Sequence, residues 1–180
     1  MTAGRINSPD NKKDWNTPPK YVDKVKELLG TIELDPCSNE LSIVKAKKEF
    51  ILPVNGLKEK WDFKTIYVNP PYGRDKENKT TIKDWVKKCD ETYKNYNSEI
   101  LMLIPVATNT SHYKEIIFKD STGICFLEDT RLKFMVNGEL SKKGAPMSCA
   151  MIYWGNHYDR FEKIFSNSGK CFNIKNNKDE

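Results

Sequence analysis

Asn69-Pro70-Pro71-Tyr72 directly follows the apolar run Thr65-Ile66-Tyr67-Val68. From average residue usage this tetrapeptide arises by chance in roughly one chain of this length per thousand. Its residue types suit one chemical problem. The exocyclic amine of a nucleobase is a poor nucleophile, because its lone pair is delocalised into the ring. Two acceptors aimed at its hydrogens draw the nitrogen toward tetrahedral geometry and localise that pair. The Asn69 side-chain oxygen and the Pro70 carbonyl supply two such acceptors. Pro70 and Pro71 stiffen the turn that carries them. Tyr72 offers a flat face on which a base turned out of its stack can rest. The other reading of the segment is a rigid proline turn closed by an aromatic residue.

An attack of this kind on a sulfonium methyl group needs positioning more than a strong base. No Ser, Cys or His triad is evident. His112 and His157 read as surface or internally satisfied residues rather than catalysts.

Such a turn must be held by a scaffold, and the periodicities supply one. Pro19–Leu29 places Val22, Val25, Leu28 and Leu29 on one helical face and ends at Gly30. Residues 31–35 read as a strand ending in the turn-prone Pro36-Cys37-Ser38-Asn39, and residues 65–68 as a second strand broken by the prolines. A helix is expected from Ile82 to Tyr93. The apolar run 99–106 is expected as the central buried strand, with further strands over 123–127 and 149–154. Strands alternating with helices predict an α/β domain with a mostly parallel sheet. Ligands of such sheets bind at the strands' carboxyl ends, so the turns after Asp35 and Val68 would share one cleft.

At 180 residues the chain fits a single domain. Residues 1–13 read as a flexible lead-in, 14–172 as the catalytic domain and 173–180 as a polar tail. A formal charge of +5 permits an anionic partner without demanding one. The five cysteines are scattered without a C-x-x-C pair, which disfavours a zinc site or a disulfide framework. No metal is therefore expected. No run is apolar enough to span a membrane, and the cytoplasm is the natural setting.

Beyond the tetrapeptide, an ordered series of landmarks resembles the phage-type N6-adenine DNA methyltransferases, amino-methyltransferases with an NPPY or DPPY motif. The series runs Trp15-Asn16-Thr17-Pro18, Leu34-Asp35-Pro36-Cys37-Ser38, Asn55-Gly56-Leu57 with Trp61, the NPPY turn and Leu103-Ile104-Pro105. It continues through Thr130-Arg131-Leu132-Lys133-Phe134 and Ala145-Pro146-Met147-Ser148. The resemblance implies an abbreviated Rossmann-like methyltransferase fold with an antiparallel last strand, and S-adenosylmethionine as cofactor. It implies DNA as substrate, with the target adenine flipped onto the turn. Asn69, Pro70, Pro71 and Tyr72 would be catalytic. Trp15, Thr17, Pro18, Asp35, Pro36, Cys37, Ser38, Asn55, Gly56, Leu57 and Asn69 would border the cofactor.

Two departures qualify it. The turn after the first strand carries no glycine, and the stretch from Asn39 to Trp61 leaves room only for reduced second and third strands. Glu49 is one candidate for the ribose-binding acid. Asn55 stands where the family often has Asp; it either accepts from the cofactor's adenine amine or simply forms a tight turn with Gly56.

Arg74 and Lys79, with Lys76, lie in the polar loop 73–81 beside the catalytic turn. Arg131, Lys133, Lys142 and Lys143 form a second basic group. All are candidate DNA contacts, and a solvated surface is the plain alternative. Acceptors in RNA or on a protein glutamine pose the same lone-pair problem. A catalytically silent DNA-binding relative is the reading from a different class.

Overall fold

The computed structural model describes residues 15–129 and 131–175. The proposed lead-in, Asp14, Thr130 and the last five residues of the tail lie outside them. The described elements are α1 (Pro19–Leu29), β1 (Leu34–Ser38), β2 (Lys48–Ile51), β3 (Thr65–Val68), α2 (Ile82–Tyr96) and β4 (Glu99–Pro105). A π-helical turn (Tyr113–Ile117) and a short α3 (Phe118–Asp120) lead to β5 (Gly123–Leu127). The hairpin β6 (Met135–Val136) and β7 (Glu139–Leu140), β8 (Cys149–Trp154), α4 (Tyr158–Phe165) and β9 (Gly169–Asn173) complete the chain.

One seven-stranded sheet runs in the order β2-β1-β3-β4-β8-β5-β9. Strands β1 to β4 pair in parallel, while β8 is antiparallel to both β4 and β5, and β9 to β5. The sheet is thus mostly parallel with an antiparallel edge strand, the architecture of a Rossmann-like methyltransferase fold.

Side chains alternate across the pleat and build two cores. Tyr67, Leu101, Leu103, Cys125, Met151 and Tyr153 face α1 and α4. Ile66, Val68, Ile100, Met102, Ile104, Ile152 and Trp154 face α2 and the π-helical turn. Helix α1 buries Tyr21, Val22, Val25, Leu28 and Leu29 on one face. Each such apolar side chain contributes about 1.5–3 kcal/mol of transfer free energy. Gly30 then closes the helix at a positive φ of 67°, where a Cβ would be strained.

The sequence expectation for β1 is corrected. Pro36-Cys37-Ser38 is not a turn after the strand but its second half, and Asp35 lies inside it. A register irregularity between Asp35 and Ser38 against β2 accommodates the proline, which has no N–H to give the ladder. Helix α2 runs on to Tyr96, because it ends only where Asn97 turns left-handed at φ 52°. Strand β9 reaches Asn173, and the Ile174 N–H still donates to the Thr122 carbonyl at 3.0 Å.

What positions the site is the topology around β1. The chain leaves β1 for β2 on one side and later returns to β3 on the other. This is a topological switch point, the place where open α/β sheets bind ligands at the carboxyl ends of their strands.

Candidate active site

Cys37 and Ser38 close β1 with Asp35 earlier in the same strand, and Asn69 immediately follows β3. The Asn69 backbone N–H donates to the Cys37 sulfur, which ties the two strand ends together. Pro70 is buried, Pro71 exposed, and Asn69 and Tyr72 half-buried.

The orientation of the Asn69 amide follows from its partner. Its Nδ2 donates to the Trp15 carbonyl at 2.9 Å. A carbonyl can only accept, so the nitrogen must face Trp15 and Oδ1 must point the other way, as an acceptor. The segment that presents this carbonyl is itself fixed. Asn16 exchanges two backbone hydrogen bonds with Met135, at 2.9 and 2.8 Å. Its side-chain amide pairs reciprocally with that of Asn39, at 3.1 and 2.9 Å. Thr17 Oγ1 and the Tyr67 hydroxyl, both buried, lie 2.7 Å apart. Pro18 accepts from the first N–H groups of α1.

Trp15, Tyr72 and Phe134 form an aromatic group beside the turn. Trp15 stacks on Phe134 at 5.2 Å between centroids, while both meet Tyr72 edge-on, at 88° and 78°. No described ring lies parallel on Tyr72, so none occupies the stacking arrangement a base would take. The Tyr72 hydroxyl donates to the Leu103 carbonyl at 3.3 Å. Burial pushes its phenol well above the ordinary value, so it stays neutral.

Asp35 is only 4% exposed. Among the described residues no Lys or Arg forms an ion pair with it. Burial raises its carboxyl to about 7, opposed by the Cys37 backbone N–H and assisted by the nearby Glu49. That N–H reaches Asp35 Oδ1 at 3.2 Å. Glu49 is opposite Asp35 in the β1–β2 register, and Ser38 Oγ donates to it at 3.2 Å. A buried acid without a cation is an unfilled electrostatic demand.

The remaining candidates are held by their own contacts. Gly56 packs so closely on β1 that a Cβ there would sit 1.8 Å from the Pro36 oxygen. This sets Asn55-Gly56-Leu57 against Pro36 in β1. The Asn55 side-chain oxygen accepts the Leu57 N–H at 3.1 Å, so Asn55 closes a turn locally. Trp61 Nε1 donates to the Gly56 carbonyl at 2.8 Å. The Ala145–Ser148 landmark returns beside β4, with the Val106 N–H on the Ser148 carbonyl at 2.8 Å.

The loop 73–81 is closed on itself. Asp75 Oδ1 accepts from the Glu77 and Asn78 N–H groups, and the Asp75 N–H bonds the Thr80 carbonyl at 2.9 Å. Arg74, Lys76 and Lys79 project from it, exposed. Arg131 and Lys133 are exposed while Leu132 and Phe134 are buried. Both cations line a groove of about 390 Å3 together with Pro18, Pro19 and Lys20. Gly144, whose Cβ would fall 2.2 Å from that of Arg131, lets the exposed Lys142–Lys143 turn pass alongside.

His112 and His157 stand apart from this group. His112 engages Thr110 and the Tyr113 ring, and the His157 backbone N–H meets the Tyr153 hydroxyl.

The hairpin that anchors Trp15 escaped sequence reasoning, although Asn137-Gly138 is its signal. Both residues take positive φ, 52° and 80°, as a two-residue hairpin turn requires. Among the described residues no group of three or more His, Cys, Asp or Glu is placed to hold a metal ion, and no helix is long and apolar enough to cross a membrane.

A family model described as DNA N-6-adenine-methyltransferase (Dam) matches residues 5–178. No curated protein matches the chain.

Proposed function

Because the chain belongs to the DNA N-6-adenine-methyltransferase (Dam) family, we propose that it carries the methyl group of S-adenosylmethionine to N6 of an adenine flipped out of DNA onto Asn69–Tyr72. The observation that carries this reading is the Asn69 Nδ2 bond to the Trp15 carbonyl. It leaves Oδ1 as the acceptor end of the amide, directly after β3.

The donor's sulfonium supplies an electrophilic methyl with a leaving group already in place. Its positive charge would suit the buried Asp35 carboxylate, which forms no ion pair with a Lys or Arg among the described residues. Trp15, Thr17, Pro18 and the Pro36-Cys37-Ser38 backbone would enclose the donor, with Gly56 and Leu57 against β1. Glu49, which accepts from Ser38, would accept from ribose hydroxyls. Asn55 closes the Gly56 turn through its side-chain oxygen and would act by positioning.

On the acceptor side, Asn69 Oδ1 and the Pro70 carbonyl take the two N6 hydrogens and aim the lone pair at the methyl group. The base rests on Tyr72. The proton left over after transfer is held at these carbonyl oxygens until water removes it. Arg131, Lys133, Lys142 and Lys143 would meet phosphates along one side of the site, and Arg74 and Lys79 on the other.

The test follows labelled methyl from S-adenosylmethionine into duplex DNA, with RNA and protein in parallel and nucleosides separated afterwards. Label in N6-methyladenine, absent with Asn69→Ala, is the expected result. Label in RNA or glutamine would overturn the substrate. Tight donor binding with no transfer would indicate a silent relative.

A further inference from the structure

Cys125 and Cys171 lie 46 positions apart in the sequence yet directly opposite one another on β5 and β9. The hydrogen bonds at the two ends of this ladder fix its phase. The Ile174 N–H donates to the Thr122 carbonyl at 3.0 Å, and the Glu128 N–H to the Ser168 carbonyl at 2.9 Å. Thr122 and Glu128 therefore occupy hydrogen-bonded pairs. Hydrogen-bonded and non-hydrogen-bonded pairs alternate along an antiparallel ladder, so Cys125, three residues from each, is in a non-hydrogen-bonded pair. Directly opposed residues point to the same face. In such pairs the Cα atoms are about 4.5 Å apart, at the short end of the range a disulfide spans.

We propose that Cys125 and Cys171 are a reversible thiol–disulfide pair that cross-links the edge strand β9 to β5 in response to a low-molecular-weight disulfide. Both thiols are free in this structure, Cys125 buried and Cys171 half-buried at the sheet edge. Access therefore falls to Cys171 first. The Cys125 thiol donates to the Phe165 carbonyl at 3.7 Å, and the interaction of the two thiols holds Cys171 below the ordinary thiol range and Cys125 above it. The Lys24 ammonium, anchored on the Ile164 carbonyl at 2.7 Å, favours thiolate at both sulfurs. Glu128 opposes it at Cys125, and Glu162 at Cys171.

The Cys171 thiolate attacks one sulfur of the small disulfide and releases one thiolate, forming a mixed disulfide. Cys125, deprotonated as its partner is consumed, attacks the Cys171 sulfur and expels the second thiolate. Two thiol protons pass to the two released thiolates. The two electrons of the new S–S bond's formation reduce the small disulfide to two thiols. A bond between directly opposed strand residues is exposed on the Cys171 side and returns to thiols under a reducing poise. It is thus compatible with a compartment that disfavours permanent disulfides.

Incubating the full chain with oxidised glutathione, followed by thiol counting and peptide mapping, tests this. The expected result is loss of two of the five thiols, a mapped Cys125–Cys171 bridge, full reversal by dithiothreitol, and no bridge in Cys171→Ser. The oxidised wild-type chain should melt roughly 5–10 °C higher, because the closed loop restricts the unfolded chain. Five persistent thiols, a stable glutathione adduct on Cys171 that Cys125 never resolves, or a bridge to any other cysteine would each overturn the proposal. Mapping the wild-type chain keeps the test valid if the variant folds poorly.

Discussion

Strands β1 and β3 lie side by side but carry opposite materials. Within β1, Asp35 is a buried carboxyl raised to about 7, and among the described residues no Lys or Arg forms an ion pair with it. At the end of β3, Asn69 and Pro70 present neutral oxygens, stiffened by two prolines and aligned by the Trp15 carbonyl. A buried uncompensated charge weakens the fold and is useful only toward a cationic ligand. Preoriented neutral acceptors do little for a cation but suit an uncharged amine whose hydrogens must be held during attack. On the proposed function, the contrast would give the donor to β1 and the adenine to β3.

That division is broken most severely by Asn69→Ala, which removes one of two acceptors. Single-turnover methylation should fall on the order of 10²–10³-fold, with donor affinity changed by less than about tenfold. A loss of donor binding as large as the loss of rate would erase the distinction.

Asp35→Asn should act the other way. Donor affinity is expected to drop about ten- to a hundredfold while the chain becomes more stable at pH 8. The sign follows from the raised carboxyl. Between the unfolded value near 4 and the folded value of about 7, the folded state binds more protons than the unfolded one. Wild-type stability therefore falls as pH rises through that window. Melting curves at pH 5 and pH 8 check this, and an Asn variant less stable than wild type at pH 8 would contradict it.

Tyr72→Ala sharpens the acceptor side. Loss of one base–aromatic stack, worth about 1–3 kcal/mol, should raise KM for DNA roughly tenfold or more and leave donor affinity unchanged. The smallest effect is expected at Arg131. Arg131→Ala should weaken DNA binding a few-fold, equally for all sequences, and reduce the salt slope by about one. A slope identical to wild type would place Arg131 away from phosphate.

The sequence was most informative where chemistry and chain geometry coincide. Asn69–Tyr72 could be placed because two prolines after an apolar run must end a strand, and α1 because its apolar period and Gly30 agree. Strand β1 was displaced by three residues, since Pro36 looks like a stop and only a local irregularity lets it remain in the sheet. The edge strands β2 and β9 are short and largely polar, so pairing rather than pattern makes them strands. The contacts that orient the site cross long sequence separations, as in Trp15 with Phe134 and with Asn69. No local period encodes such contacts. The partner that fixes the Asn69 amide is a backbone carbonyl, which leaves no trace in residue type.

The most direct test of the division between the two strand ends is the affinity for S-adenosylmethionine measured without DNA from pH 5.5 to 7.5, in wild type and in Asn69→Ala. Affinity should rise by up to tenfold per pH unit below about 7, as Asp35 ionises, and then level, with the same profile in both proteins. Affinity independent of pH, or a profile that collapses when Asn69 is replaced, would contradict the assignment of the donor to β1 and the adenine to β3.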